Sequence, residues 1–255
     1  MKIIYHPQFT NSNYSSDPAS EEGRIECVID ELKEISGLEI CEPRPAMREE
    51  LELVHDTYHI QSIKQRGEDL YKISKLSAGG ALVAGETALE GVPAFGVIRP
   101  PGHHASPDSN WGFCYFNNMA IAIENLRTTG KIKSAFIMDF DLHVGDGNIN
   151  CLGDYSDIRI VNPTAGGRVE YVERVEKYLD EADGYDILGV SAGFDQHVRD
   201  WGGKLRTEDY RRLGALLKNF SREKCGDKRF ALLEGGYNHE VLGMNVSAFV
   251  KGFSD

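Results

Sequence analysis

The 255-residue chain is 41% hydrophobic and 27% charged, a balance typical of globular proteins and unlike that of disordered chains. Its 28 lysine and arginine residues are outnumbered by 40 aspartate and glutamate residues, and the net charge of −12 argues against direct binding of nucleic acid. No apolar run approaches the roughly 20 residues of a membrane helix and no signal peptide is evident, so we expect a cytoplasmic protein that does not span a membrane.

The chain shows no linker, repeat or low-complexity tract, and its length suits one α/β unit. We therefore predict a single domain over residues 1–255, without a prediction of oligomeric state. The five cysteines are odd in number and never form a Cys-x-x-Cys pair. This spacing predicts neither a disulfide framework nor a thiolate zinc site.

Short apolar runs alternate along the chain with longer segments of helical periodicity. After a short N-terminal strand within residues 1–7, buried strands are predicted at 94–98, 134–138, 186–190 and 230–233. Helices are predicted at 20–36, 57–69, 77–90, 117–128, 168–182 and 207–220. This alternation predicts an α/β fold, a three-layer domain in which a central, mainly parallel sheet is flanked by helices.

Polar, glycine-containing segments follow four of the predicted strands. They occupy residues 99–104, 139–146, 191–195 and 234–237. In parallel sheets, ligands bind beyond the carboxyl ends of the strands, so we expect these four segments to converge on one pocket.

Two of these segments carry the side chains of a candidate metal site. Asp139, Asp141 and His143 alternate with other residues, so in an extended segment they project to one side. Together with Asp195, Asp141 and His143 supply three ligands and leave room for water, which is a catalytic arrangement. Such ligands suit zinc, and also iron(II) or cobalt. An isolated Asp-x-His pair could equally be a hydrogen-bonded turn, but four clustered titratable groups are costly to fold without partners or a metal.

Two adjacent histidines, His103 and His104, follow a proline- and glycine-containing segment. They could be a solvated loop, or they could act as base and acid beside a metal-bound water. Asp139 and Asp146 are left over after metal ligation, and each could accept a hydrogen bond from one imidazole Nδ1. The four residues would then form two His–Asp dyads.

Aromatic residues near these motifs have two possible roles. The Tyr237 hydroxyl could donate a hydrogen bond to a developing oxyanion, although a Gly-Gly-Tyr segment could also be only a turn. Trp111, Gly112 and Phe113 could form an apolar wall around a substrate methylene chain, or pack into the core.

Taken together, these segments resemble the histone deacetylase family, which includes acetylpolyamine amidohydrolases and acetoin-utilisation proteins and has the arginase/deacetylase fold. The matching motifs are Arg99-Pro-Pro-Gly-His-His-Ala105, Gly112-Phe-Cys-Tyr-Phe-Asn-Asn118, Asp139-Phe-Asp-Leu-His-Val-Gly-Asp146, Ser191-Ala-Gly-Phe-Asp195 and Glu234-Gly-Gly-Tyr237. Weaker similarity at residues 5–7, 24 and 54–58 extends the resemblance over nearly the whole chain.

The resemblance implies a zinc-dependent deacetylase that removes an acyl group, expected to be acetyl, from acetyl-lysine or an acetylated polyamine. It implies that the zinc ligands are Asp141, His143 and Asp195. It also implies that His103 and His104 are the base and acid pair, and that Tyr237 polarises the substrate carbonyl. It also pairs Asp139 with His103 and Asp146 with His104, and suggests a potassium site built partly from main-chain carbonyls of residues 139–143. Arg24 would line an inner product cavity or, equally, be a surface residue at a helix start.

The sequence departs from the family pattern in two places. Val144 stands where many relatives have a second histidine, outside the expected ligands. The segment 151–170 is short and lacks the phenylalanine-rich stretch that forms one wall of the acyl-lysine tunnel. A wider mouth, together with the acidic charge, would be compatible with an acylated polyamine as substrate.

Two alternative functions use the same residues. An arginase-like hydrolase with two manganese ions would need a bridging aspartate where Gly145 stands, and the 191–195 motif has only one aspartate. A non-catalytic binder of acylated amines would be a degenerate member of the family, yet every proposed ligand, both histidines and the tyrosine are present.

Overall fold

A computed structural model describes residues 1–254, and their seven strands form one entirely parallel sheet. The strands are β1 (Lys2–Ile4), β2 (Glu39–Cys41), β3 (Ala94–Gly96), β4 (Ala135–Asp139), β5 (Ile158–Val161), β6 (Ile187–Ala192) and β7 (Arg229–Leu233). Their order across the sheet is β2-β1-β3-β7-β6-β4-β5. Four of the five interior strands, β3, β7, β6 and β4, are buried along their whole length, as expected where helices cover both faces.

Helices connect the strands and pack on the sheet. They are α1 (Arg24–Lys33), α2 (Arg48–Leu51), α3 (Thr57–Arg66), α4 (Glu68–Leu89), α5 (Asn118–Thr128), α6 (Asp146–Leu152), α7 (Arg168–Asp180), α8 (Thr207–Lys224) and α9 (His239–Phe253). Helix α4 contacts α5 and strands β3 and β7, while α9 packs between α1 and α8. The Phe249 ring of α9 lies 6.0 Å from that of Phe95 in β3. The result is the predicted three-layer α/β fold.

The predicted strands are confirmed within two residues at each start. Two short strands, β2 and β5, were not predicted because they lie at the sheet edges and are partly exposed, which removes the continuous apolar run of a buried strand. The predicted helix start at Thr207 is confirmed: the Asp209 carboxylate accepts a hydrogen bond from Arg206 N at 2.8 Å. That contact satisfies a backbone amide left without a partner in the first turn.

The predicted helix boundaries between residues 57 and 90 are wrong. Helix α3 ends at Arg66, and one continuous helix, α4, then runs from Glu68 to Leu89. Its middle is a buried run of small residues, 77–81, where a Cβ at Gly79 would overlap the Arg44 carbonyl. This close backbone approach explains a glycine-rich stretch inside a helix.

Helix α9 was not predicted because it is buried on most of its surface, so it lacks the polar face that reveals an amphipathic helix. Its first turn is capped by Asn238, whose side-chain oxygen accepts a hydrogen bond from Glu240 N at 3.1 Å. Within residues 1–254, no helix is long and apolar enough to cross a membrane. The single domain over 1–255 stays a prediction, and Asp255 lies outside the described residues.

Candidate active site

The four polar segments follow β3, β4, β6 and β7, which are neighbours in the sheet. All four strands run in the same direction, so their carboxyl ends lie at one edge. The structure therefore brings the segments together at that edge, where ligand sites of open parallel sheets form.

Asp141, His143 and Asp195 form a compact three-ligand cluster at this edge. His143 Nδ1 lies 3.3 Å from Asp141 Oδ1 and 3.3 Å from Asp195 Oδ2, and one potential ligand atom from each residue lies within 4.8 Å of the others. Both aspartates are buried, whereas His143 is partly exposed. The cluster thus reaches the surface at the imidazole of His143.

Backbone amides hold the two carboxylates in place. Gly235 N donates to Asp141 Oδ2 at 2.8 Å and Leu142 N donates to Asp195 Oδ1 at 2.9 Å. A Cβ on Gly193 would overlap Asp141 Oδ2, and one on Gly235 would lie 2.8 Å from Asp195 Oδ2. Glycine is required at both positions because the backbone approaches the carboxylates so closely.

The chemistry of the cluster fits a cation. Asp195 Oδ2 is buried, and its neighbour His143 Nδ1, at 3.3 Å, lies equally close to Asp141 Oδ1, so one ring nitrogen serves two carboxylates. Burial and the neighbouring Asp141 carboxylate raise the pKa of Asp195 to about 7, while hydrogen bonds to Asp141 and Asp195 raise the pKa of His143 to about 10. Two buried carboxylates this close repel each other, and a bound dication would relieve that repulsion.

His103 and Asp139 form an inner dyad. His103 Nδ1 donates to Asp139 Oδ2 at 3.1 Å, and the side chain of Asp139 is fully buried. Asp139 also accepts hydrogen bonds from Asn148 Nδ2 at 3.1 Å and from Asp141 N at 3.2 Å. A Cβ on Gly145 would overlap Asp139 Oδ2, the oxygen that accepts from His103. His103 Nε2 faces the three-ligand cluster and lies 3.8 Å from Asp141 Oδ1.

His104 and Asp146 form an outer dyad nearer the surface. His104 Nδ1 donates to Asp146 Oδ1 at 2.6 Å, and the Asp146 side chain is 42% exposed. The other carboxylate oxygen accepts a hydrogen bond from Trp111 Nε1 at 2.8 Å. The two imidazoles of the dyads lie 3.9 Å apart between ring centroids, so the dyads are adjacent.

Aromatic rings surround the entrance to these groups, and we call them the aromatic collar. Its members are His104, Trp111, Phe113, His143, Trp201 and Tyr237, which with Gly112 line a cavity of about 300 Å³. Neighbouring rings around the collar lie 3.7 to 6.1 Å apart between centroids. Through His104 and His143, this cavity reaches the outer dyad and the three-ligand cluster.

The Histone deacetylase domain model matches residues 18–163 and 153–253 of this sequence. The chain belongs to the histone deacetylase family. Its activity is therefore that of a hydrolase, a deacetylase or amidohydrolase, and the family implies a metal cofactor.

Relatives from several kingdoms are similar to this deacetylase. A probable deacetylase of Methanothermobacter thermautotrophicus is 28% identical over 305 aligned residues, covering 99% of this chain and 90% of that protein. The acetylpolyamine amidohydrolase of Burkholderia pseudomallei is 29% identical, covering 73% and 64%. The chloroplastic histone deacetylase 14 of Arabidopsis thaliana is 33% identical, covering 67% and 50%.

Solved structures show the same fold. The crystal structure of the HDA15 HD domain matches with a TM-score of 0.82 at 20% sequence identity, covering 98% of this chain and 87% of that one. The deacetylase therefore has the arginase/deacetylase-like three-layer fold that the resemblance implied.

Arg24 is a buried residue of the deacetylase, so the alternative of a surface arginine at a helix start is wrong. Its Nε donates to the Gly236 carbonyl at 2.8 Å and its Nη2 donates to the Glu234 carbonyl. Its guanidinium lies 5.6 Å from the centroid of the Tyr237 ring. Arg24 Nη1 is buried and lacks a hydrogen-bond partner among residues 1–254. Arg24 thus supports the turn that carries Tyr237, and its role toward a product stays a prediction.

Tyr237 is held in the collar by its neighbours. Its ring stacks on Trp201 with a centroid distance of 4.0 Å and an interplanar angle of 22°, and its backbone N donates to Asp200 Oδ2 at 2.8 Å. Trp201 comes from the loop after β6, whereas no residue of 151–170 lines the cavity. Trp201 therefore lines the cavity, although the sequence analysis did not single it out.

Sequence reasoning also missed Glu234 and Cys114, which lie beside His103 in a second buried group of potential ligands. Glu234 Oε2 accepts hydrogen bonds from Gly102 N at 2.7 Å and His103 N at 3.2 Å, which fixes the backbone before the histidine pair. Burial raises the pKa of Glu234 to about 7. Both residues lie within matched motifs, and that position was the only available signal for them.

Proposed function

We propose that this deacetylase is a zinc-dependent amide hydrolase that removes an acetyl group from an acylated amine. The observation that carries the proposal is the open three-ligand cluster next to two His–Asp dyads. In that cluster, two buried carboxylates share His143 Nδ1, which lies 3.3 Å from each, and His103 Nε2 lies 3.8 Å from Asp141 Oδ1. A cation and a proton-transfer pair at the same site are what amide hydrolysis by an activated water requires.

Asp141, His143 and Asp195 would hold the metal. Two carboxylates and one imidazole suit zinc, and also iron(II) or cobalt, while three protein ligands leave a position for water, as in catalytic zinc sites. When bound, zinc lowers the pKa of a water ligand to about 7 and polarises a carbonyl group. The remaining steps belong to the side chains of the chain itself.

His103, oriented by Asp139, removes a proton from the attacking water. The Tyr237 hydroxyl donates a hydrogen bond to the oxygen of the amide carbonyl as negative charge develops there. His104, oriented by Asp146, donates a proton to the nitrogen as the carbon–nitrogen bond breaks. Burial raises the pKa of Tyr237 above its usual value, so its hydroxyl keeps the proton that this role requires.

The collar supports an acylated amine with a slender stem as the substrate. Phe113 and Tyr237 face each other edge to face at 6.0 Å, and no lysine, arginine or carboxylate lines the cavity. Such a lining suits the methylene chain of acetyl-lysine or of an acetylated polyamine. The net charge of −12 favours a cationic polyamine; much faster deacetylation of a histone-tail peptide would contradict that preference.

A structural potassium ion at the carbonyls of residues 139–143 also stays a proposal. Tyr171 Oη donates to the Phe140 carbonyl at 3.2 Å, and Gln196 Nε2 donates to the Asp141 carbonyl at 3.4 Å. Each carbonyl oxygen has a second lone pair, so both could still coordinate a cation. A cytoplasmic location and the absence of nucleic-acid partners are likewise proposed from composition alone.

The first experiment measures release of free amine by zinc-loaded protein from acetyl-lysine peptides, acetylated polyamines and longer-acyl amides. The control is Asp141→Ala, with bound metal counted in both proteins. We expect one zinc per chain and turnover of at least one substrate, with both metal and turnover lost in the control. Two metals per chain would favour the arginase-like alternative. One bound zinc without turnover of any amide would favour the non-catalytic binder.

A further inference from the structure

Trp111 covers the outer dyad and also binds it. The ring centroids of Trp111 and His104 lie 3.7 Å apart at an interplanar angle of 32°, and Trp111 Nε1 donates to Asp146 Oδ2 at 2.8 Å. The indole is 52% exposed, yet it contacts both members of the dyad. A tryptophan that served only as a substrate wall would need neither contact.

With the hydrogen bond from Trp111, each carboxylate oxygen of Asp146 accepts a hydrogen bond from a side chain. One oxygen of Asp146 accepts from His104 Nδ1 and the other accepts from the indole N–H. The inner carboxylate, Asp139, is instead held by buried donors, Asn148 Nδ2 and the amide of Asp141. On Asp146, whose side chain is 42% exposed, the donors besides His104 are the indole N–H of Trp111 and the backbone N–H of Gly147.

The backbone at Gly112, directly after Trp111, lies close against the imidazole of His104. Gly112 has a φ of +58°, and a Cβ there would overlap His104 Cδ2. Cys114 N donates to the Trp111 carbonyl at 3.0 Å and closes the turn. His104 is only 3% exposed, because His103 lies on one side of its ring and residues 111–112 cover the other.

We propose that Trp111 is a positioning residue, which holds Asp146 and His104 so that His104 can deliver a proton to the leaving amine. This inference rests on the proposed function and assigns to Trp111 a role beyond that of an apolar wall. In the step concerned, the carbon–nitrogen bond breaks and the nitrogen takes its electron pair together with the proton of His104 Nε2. An alkylamine leaves only with that proton, whereas a 4-nitrophenolate leaves as a stable anion without it.

The test compares two substrates with the same acetyl group, an acetylated alkylamine and 4-nitrophenyl acetate, with zinc-loaded protein. Trp111→Phe keeps an aromatic ring over His104 and removes the N–H. We expect kcat for the amide to fall about 10-fold, as for the loss of an outer partner of a functional histidine, with KM little changed. The ester kcat should fall much less. Trp111→His, which restores a ring N–H, should recover part of the amide activity.

Trp201→Phe is the matched control. Trp201 is 53% exposed and stacks on Tyr237, but its indole N–H makes no hydrogen bond within residues 1–254. This variant should therefore affect amide and ester alike. Equal losses on both substrates in Trp111→Phe, or a change in KM alone, would overturn the inference, as would an amide-selective loss in Trp201→Phe. A wild-type protein that hydrolyses neither substrate would overturn the proposed function, and the inference with it.

Discussion

The inner and outer dyads contain the same two residue types, yet their surroundings shift the histidine pKa values in opposite directions. His103 is buried, which lowers its pKa, but the carboxylates of Asp141 and Asp139 outweigh burial and raise it well above the usual value. For His104, burial and the positive charge of His103 lower the pKa to about 4. Pairs of groups whose pKa values are driven apart are suited to separate acid and base roles.

The charges of the protein alone favour a protonated His103 and a neutral His104, which is the reverse of the proposed roles. Asp141 is a proposed metal ligand, and a dication there would offset the negative charge that raises the pKa of His103. An experiment that separates water activation from protonation of the leaving group tests the assignment of His103 as the base.

The largest expected effect separates the two histidines. His103→Ala and His104→Ala should each lower kcat for an acetylated alkylamine by about 100- to 10,000-fold, the contribution of one general acid or base. Both amide and ester hydrolysis need an activated water, so His103→Ala should slow 4-nitrophenyl acetate as well. His104→Ala should spare the ester, because its leaving group needs no proton. Steady-state kinetics with both substrates measure the difference.

Zinc content should be the same in both histidine variants, since neither histidine is a proposed ligand. If His103→Ala were the variant that spares the ester, the roles would be exchanged, in agreement with the charges of the protein alone. Equal ester losses in both variants would show that the dyads do not divide the two proton transfers.

A smaller effect tests the two carboxylates. Asp139→Asn should lower kcat about 100-fold and Asp146→Asn about 10-fold, the upper and lower ends of the range for outer partners of functional histidines. Asp139 is buried and accepts hydrogen bonds from Asn148 and Asp141 N, so an amide there would face donors it cannot satisfy. Asp146 is 42% exposed, so water can replace a lost contact. Equal losses of kcat in the two variants, at unchanged zinc content, would show that burial of the carboxylate does not determine the size of the effect.

The sequence predicted most of this edge of the sheet because its polar residues come directly after buried strands. Asp139, the last residue of β4, lies within two residues of Asp141 along the chain, so local geometry places both. Strand order was not predicted from periodicity, because a buried strand looks the same at any interior position. Helix α9 was missed for a related reason, since a helix buried on most faces shows no amphipathic pattern.

Five of the six collar residues belong to segments that the sequence analysis singled out, whereas Trp201 comes from a loop that it did not. Trp201 faces Tyr237 only once the loop after β6 has folded, and nothing in its local sequence distinguishes it from a surface residue. From the sequence, Arg24 could line an inner cavity or lie at the surface, since arginine is seldom buried unless paired. Its burial depends on the carbonyls of Gly236 and Glu234, which are distant in the sequence.

A second pair of histidines sharpens the comparison, because among residues 1–254 neither ring is hydrogen-bonded to a carboxylate. His55 and His59 stack with centroids 4.8 Å apart, and their rings bond to the backbone: His55 Nδ1 contacts the Ser106 carbonyl at 2.9 Å, and His59 Nε2 contacts the Tyr115 carbonyl at 2.8 Å. Burial, followed by the charge of His59, lowers the pKa of His55 to about 3. Both rings are therefore held neutral, unlike His103.

The last prediction concerns the pH dependence of stability that His55, in this second pair, produces. The pKa of His55 is about 3 when folded against 6.5 as its usual value, so the unfolded chain binds the proton more tightly. The stability that neutral His55 contributes is complete above pH 6.5 and is lost as the pH falls toward 3, by at most about 1.4 kcal/mol per pH unit. Urea unfolding of wild type and His55→Gln between pH 7 and 5 measures this slope. The variant should show a shallower decline in the free energy of unfolding, and identical slopes would mean that His55 is not held neutral by burial.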